Sequence, residues 1–535
     1  MRAVLAIKSA KDVMPIERGN ALFAAWFFAV ATVIIAPLAV IDTPLLADYP
    51  NHVARMHVLG NLDHGFFLKD RYAISFDLIP NIAMDLAVPW LARWVPLDIA
   101  ARLFLAVCLI STLVGVAWLH RILFNRWSSF SLIAALFAYH GSLMAGMVNF
   151  SLGIGLVPAA LALWIRMQDA RAAWRLLVGA TLALLLFFCH LVAVGGFGLL
   201  VMGTALARAR DDRRRAVSEF AIVGASGFLP ALLFARLVFS AEGGAPAAGV
   251  VYGDLGWKLK ALLAPLANYN LALDLVSFAA IVGLFLAAWW TGRLRVDRRI
   301  APGFALLALG FVIAPKALWT GGVFDQRLAV LLALILVASS HIALPAGALS
   351  RALPAGLALL FLARIGVLTS AWLDHRDDLA EMRSAADLIA PGGRVLVVRP
   401  DRKTGQRLAP ARHRVFHHAV QLPSLPAVAV VEKDAFVSTL YALPGQQPLV
   451  LKPPFDRLGG RGHVDLPTIK ELSLALRSDA RAGQAKRQIQ DWPSDFDYVV
   501  MIYGYGPGAA AFIGDLPLEP LLDGDILDLF RVIKR

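Results

Sequence analysis

The sequence predicts a polytopic α-helical membrane protein with a C-terminal α/β domain. Three observations predict it. The 535 residues are 59% hydrophobic and only 17% charged, where soluble domains run near 45–50% apolar and about a quarter charged. Apolar runs of about 20 residues, the length that crosses a bilayer, recur along the chain. Basic residues gather in alternate connections between these runs, the bias that sets membrane orientation. The net charge of +13 therefore belongs to short loops beside a membrane and does not call for a nucleic-acid partner.

In chain order the apolar segments fall near 21–41, 99–120, 128–148, 151–166, 174–189, 191–207, 216–239, 270–291, 301–318, 328–344 and 353–371, about 11 spans in all. Arg2, Lys8, Lys11 and Arg18 precede the first, which suits an uncleaved first helix with its N-terminus inside. The inner connections then hold Arg121 and Arg126; Arg166, Arg171 and Arg175; the Arg208–Arg215 cluster; Arg293, Arg295, Arg298 and Arg299; and Arg351. The outer loops 149–151, 240–269 and 319–327 hold Lys258, Lys260 and Arg327. Joining 174–207 into one span would invert every later loop, so the charges require a break at His190. Cys108 and Cys189 both lie in apolar segments, and two cysteines so placed give no disulfide or zinc framework.

The transmembrane part thus covers 1–371, with two larger pieces facing outward: the loop 42–98 and the tail 372–535. In the loop, "LLADYPNHVARMHVLGNL" begins a helix at Tyr49 or Pro50, since proline suits a first helical turn. Val53, Met56 and Leu59 share an apolar face, with Asn51, His52 and Arg55 on a more polar one. Residues 81–95 read as a second interfacial helix anchored by Trp90 and Trp94. In the tail, 375–390 and 467–483 have helical spacing, while "GGRVLVVRP", "AVAVVE" (427–432) and "FDYVVMIYG" (496–504) read as strands. "HRVFHH", with His413, His417 and His418, reads as surface or core histidines rather than a metal site.

Polar residues inside membrane segments are costly and point to function. Here they collect on the outer side: His140, Asn149, His190, Arg236, Lys316, Asp325, Arg327 and Arg364. Singly, Arg236, Lys316 and Arg364 fit snorkelling to the headgroups. Together with Asp325 and the histidines they outline an outward polar cavity fit for an anionic headgroup, because Arg and Lys are the usual phosphate partners. Asp48 opens the first interfacial helix. It is read both as an N-cap and as a general base taking a proton from an acceptor hydroxyl. Asn51, His52 and Arg55 accompany it.

A first span, a long outer loop opening with an acid, many further spans and an outward α/β tail together resemble the GT-C-type integral membrane glycosyltransferases. "DYPNHVAR" resembles their acid-bearing first-loop motif, "FDQRLAVLLALIL" (324–336) their aromatic/Arg entry to a late span, and "YHGSLMAGMVNFSLGIGLVPAALALW" (139–164) uncharacterised bacterial members. The resemblance implies a location in the bacterial cytoplasmic membrane and a polyprenyl-phosphate-sugar donor. It implies a glycan, lipid or protein acceptor on the extracytoplasmic face, Asp48 as catalytic base and Arg327 as phosphate ligand. Many members carry a second acid in the next outer loop, where this chain has Asn149 and Ser151. No cofactor is prescribed, and a divalent metal is one option. The alternatives are a flippase or transporter of lipid-linked glycans, a ligase that moves the whole glycan, and a non-enzymatic membrane assembly protein.

Overall fold

A computed structural model describes residues 16–76, 78–211, 213–239, 249–318, 322–344, 347–400, 414–415, 418–419, 422–459, 466–476, 487–502 and 513–534. Arg2, Lys8, Lys11, His413 and His417 lie outside these residues.

Helix α1 (Ile16–Ile35) is followed by the loop with α2 (Tyr49–Asn61), α3 (Phe66–Arg71), β1 (Tyr72–Ile74) and α4 (Ala83–Leu91). The main helical body comprises α5 (Leu97–Phe124), α6 (Gly141–Met144), α7 (Val148–Arg166), α8 (Ala172–Cys189), α9 (Leu191–Asp211) and α10 (Arg213–Phe239). It continues through α11 (Leu255–Ala261), α12 (Leu271–Trp290), α13 (Ala301–Ile313), α14 (Phe324–Ser339) and α15 (Leu349–Asp387). Among the described residues, eight helices are long and apolar enough to cross a membrane: those within α1, α5, α7, α8, α9, α10, α12 and α15.

Three of the expected spans are irregular. Segment 128–148 is a 3-10 stretch, Ser129–Phe137, followed by the short α6. A 3-10 helix rises ~2.0 Å per residue, so this stretch gains length at the cost of a regular ladder. Segments 301–318 and 328–344 contain the shorter α13, 13 residues, and α14, 16 residues. Most of α14 is buried among other helices, where a helix too short for the bilayer core faces protein instead of lipid. The break at His190 is present: the residue is extended between α8 and α9. Arg208 near the end of α9 reaches Asp169 and Glu219, beside Arg175 at the start of α8. The two helices therefore form a hairpin. Where α5 and α7 cross, a Cβ on Gly115 would stand 2.4 Å from the Gly155 carbonyl, so small residues set the helix spacing. Cys108 and Cys189 are free and buried.

One end of this body carries the loop and the tail. The opposite end carries β2 (Leu294–Val296) paired with β3 (Ser340–Ile342), together with Arg126, Arg175 and Arg299. Helix α15 is 39 residues long and runs unbroken through position 372 into the tail, so the helix expected at 375–390 is the end of the last membrane segment. Beyond it, β4 (Arg394–Val398), β7 (Phe436–Val437), β9 (Tyr498–Ile502), β10 (Leu518–Asp523) and β11 (Leu527–Val532) form a mixed sheet ordered β10-β11-β9-β4-β7. β4 is parallel to both β7 and β9. The strands expected in "GGRVLVVRP" and "FDYVVMIYG" are β4 and β9. "AVAVVE" is instead helix α16 (Val428–Lys433), since a short apolar run does not distinguish strand from buried helix. The 467–483 helix is present as α17 (Ile469–Ala475), and positions 477–486 lie outside the described residues. A short α18 (Trp492–Asp495) precedes β9. β5 (Arg414–Val415) and β6 (His418–Ala419) form a separate two-stranded ladder.

Loop and tail are joined. β1 pairs antiparallel with β8 (Leu449–Leu451) of the tail. Asn51 Nδ2 donates to Ser424 Oγ at 3.0 Å, and His57 Nε2 meets Asp434 at 2.8 Å. Arg383 on α15 holds Asp42 at 2.6 Å. This docking buries the supposed polar face of α2: Asn51 is fully buried and Arg55 is 1% exposed. α4 lies where the second interfacial helix was expected, and Trp90 and Trp94 are well exposed.

Candidate active site

Helix α2 begins at Tyr49 with Pro50 in its first turn, so Asp48 occupies the N-cap position. Its carboxylate makes no capping bond. Tyr441 of the tail donates its hydroxyl to Asp48 Oδ1 at 3.0 Å. Burial, and after it the charge of Asp48, pushes the Tyr441 phenol far above its usual range, so the tyrosine keeps its proton and remains a donor. The turn between α6 and α7 presses on the same point. Gly146 has φ +86°, and a Cβ there would stand 2.5 Å from the Asp48 amide nitrogen. Only glycine combines that backbone conformation with that approach. His52 Nε2 lies 3.0 Å from the Gly146 carbonyl, which fixes Nε2 as the donor. Burial, with the Arg55 charge behind it, lowers the His52 pKa to about 3, so the ring is neutral, and its buried Nδ1 has no hydrogen-bond partner among the described residues.

Arg327 lies in the first turn of α14. Its Nη2 donates to the Gly322 carbonyl at 3.0 Å, and Nη1 sits 3.3 Å from His190 Nε2. The guanidinium also lies 6.0 Å from the centre of the Phe150 ring, which in turn meets His190 edge-on at 5.2 Å. Its buried Nε has no hydrogen-bond partner among the described residues. The charge of Asp48 acts on Arg327. His190 Nδ1 accepts the Val192 amide at 3.0 Å, so the neutral ring bears its proton on Nε2 and packs beside the guanidinium without accepting from it. The site combines a carboxylate that accepts from a phenol and a guanidinium that donates to a backbone carbonyl.

The backbone frame around this pair has a counterpart among solved structures. ArnT from Cupriavidus metallidurans, in its apo state, is similar at a TM-score of 0.51 and 14% identity, over 96% of this chain and 98% of that one. The chain shares the fold of ArnT. It is accordingly a polytopic helical membrane protein. No family model matches the sequence, and no curated protein matches it.

Within this frame the other expected site residues have partners of their own. Arg55 makes a buried bidentate pair with Asp85 of α4, at 2.6 and 3.0 Å, and so ties two loop helices together instead of facing a substrate. Arg364 on α15 is buried against Asp274 at 2.8 Å, Ser277 and the Leu266 carbonyl. It joins α15 to α12 and neither snorkels nor lines the Asp48 site. Asn149 accepts from the Met84 amide at 2.7 Å and donates to the Asn81 carbonyl, docking the loop onto α7. His140 caps α6 by accepting from the Leu143 amide at 3.1 Å. Asp325 is buried with Lys258 Nζ at 3.0 Å and the Trp257 indole N–H. Lys316 lies over the Trp257 ring at 3.9 Å. Arg236 is exposed at the end of α10. Among the described residues no three His, Cys, Asp or Glu side chains gather as a metal site.

Sequence reasoning missed Tyr441, Gly146 and the partners Asp85, Asp274 and Lys258. "MAGM" offered a hint of Gly146, since a glycine between helical stretches marks a turn. Nothing local marks Tyr441, which lies 393 residues from Asp48.

Proposed function

We propose that the chain transfers a sugar from a polyprenyl-phosphate-linked donor to an acceptor hydroxyl, on the extracytoplasmic face of a bacterial cytoplasmic membrane. The observation that carries this reading is a buried guanidinium, Arg327, within electrostatic reach of the Asp48 carboxylate in an ArnT-like fold. Asp48 takes the proton of the acceptor hydroxyl. The freed oxygen attacks the anomeric carbon, the bond from that carbon to the phosphate oxygen breaks, and its electrons stay with the polyprenyl phosphate. Arg327 faces the charge that builds there, the kind of fixed donor that lowers such a barrier. The Gly322 carbonyl holds the guanidinium in place. Arginine at the opposite end of the body supports the orientation, with that end in the cytoplasm.

Lipid and glycan profiling of a deletion strain beside an Asp48→Asn strain tests the reading. Both strains should lose one glycan and accumulate one lipid-linked sugar. A normal glycan in the Asp48→Asn strain refutes the assignment of the base. For orientation, an impermeant maleimide on intact cells should label His64→Cys and leave Arg295→Cys unlabelled.

A further inference from the structure

At the end of the body away from the tail, α1 and α5 leave a groove of about 350 Å³ between them. The two helices run antiparallel, since Arg102 near the start of α5 donates to the Leu38 carbonyl just past the end of α1. From Asn20 to Phe28, which both line the groove, is roughly 12 Å of helix at ~1.5 Å per residue. That is most of one leaflet's apolar depth, about 15 Å or half of the ~30 Å hydrocarbon core. Val114, Ala117 and Trp118 form the opposite wall, and apart from Asn20 the lining is apolar. Trp127 bounds one end and stacks on Phe23 at 5.1 Å.

The cations gather at that end. Arg126 precedes Trp127, and Arg121 continues the face of α5 that carries Val114, Ala117 and Trp118 at helical spacing. Arg121 donates to Asn125 Oδ1 at 2.8 Å, and Arg126 meets the ring of His341, which lies opposite Arg295 in the β2–β3 ladder. Neither Arg121 nor Arg126 has a carboxylate partner among the described residues. Arg175, Arg208 and Arg299 at the same end all do. We infer that the groove seats one acyl chain of an anionic phospholipid, with the headgroup phosphate at Arg121 and Arg126. A long apolar slot with cations at one end matches an amphiphile of that polarity. A zwitterionic headgroup brings its own cation. An anionic one supplies the missing countercharge, as it does in basic pockets between membrane helices, and its phosphate oxygens accept from guanidinium N–H groups.

Native mass spectrometry of the detergent-purified full chain tests this with palmitoyl-oleoyl phosphatidylglycerol and phosphatidylcholine, which differ in the headgroup alone. The phosphatidylglycerol should bind about 25-fold tighter, about fivefold for each arginine. Arg121→Gln combined with Arg126→Gln should bring the two lipids within about twofold of each other. Ala24→Phe fills the groove and keeps the cations, so both lipids should weaken by about tenfold as chain contact is lost. Arg293→Gln combined with Arg298→Gln, two exposed residues of the same end, should leave the preference intact. Equal binding of the two lipids by the unaltered chain overturns the inference, and that comparison needs no variant to fold. So does a preference that survives the loss of Arg121 and Arg126, or one that falls as far in the Arg293 and Arg298 variant. Unchanged binding by Ala24→Phe overturns it as well, because the groove then holds no chain. Undecaprenyl phosphate and inorganic phosphate serve as competitors. Displacement of phosphatidylglycerol by an equal amount of the first marks a polyprenyl lipid as the occupant, and by the second a site for the anion alone; either result overturns the inference.

Discussion

Arginine and carboxylate groups are bonded in two different ways in this molecule. Arg55–Asp85 in the loop, Arg175–Glu219 at the far end of the body and Arg364–Asp274 between α12 and α15 are all buried and closed, at 2.6 to 3.0 Å. At Asp48 and Arg327 the bonds are of another kind: Tyr441 donates to the acid, and the arginine donates to the Gly322 carbonyl. A closed pair neutralises itself and fixes two elements in register. Breaking it strands a charge in a poorly solvated place. A charge bonded to a phenol or a carbonyl is not neutralised by that bond. Burial and charge alone therefore do not mark the site. What marks it is a carboxylate that accepts from a phenol near a guanidinium that donates to a backbone carbonyl.

Substitutions separate the two kinds of bonding, and the largest effect belongs to Asp48. Asp48→Asn should lower transfer by about 10²- to 10⁴-fold, the range of a lost general base, with the melting temperature of the purified chain unchanged. Asp85→Ala should do the reverse. Unfolding should become easier by about 3–5 kcal/mol, because Arg55 is left buried and unpaired, as thermal melting would read. Gly146→Ala lies between the two. Its strained backbone costs about 1–3 kcal/mol, and the added Cβ presses on Asp48, so stability and transfer should fall together; loss of only one would separate that turn from the site. Arg327→Ala should weaken undecaprenyl phosphate binding by about 1.5–3 kcal/mol, the value of a hydrogen bond to a charged group. Equal affinity in a direct titration would remove Arg327 from the phosphate. The smallest effect belongs to Arg383→Ala, which loses half-exposed pairs with Asp42 and Glu432 and should shift melting by no more than about 1 kcal/mol.

The sequence carried the hydropathic layout, because lipid forces long apolar runs wherever a helix faces it. It also carried the break at His190, through the sign of the loops on either side, and the start of α2, through Pro50. Asp48 and Arg327 were legible as charges beside apolar segments. Their separation from Arg55 and Arg364 was not, because a closed partner such as Asp85 or Asp274 lies 30 or 90 residues away. The helix in "AVAVVE" was hidden for a related reason: packing against α2, not local preference, decides it. The 3-10 stretch at Ser129–Phe137 has the same apolar content as a regular span, so hydropathy could not distinguish them.

The bond between Tyr441 and Asp48 has a consequence in time. A ribosome adds about 5–20 residues per second, so Asp48 is made long before its partner. Every membrane segment can be threaded and packed while the carboxylate still lacks that hydrogen bond. Only when the tail has emerged and folded does the phenol arrive. A half-made chain, already in the membrane among reactive lipids, would thus lack the arrangement that acts on them, and competence would come with the last domain.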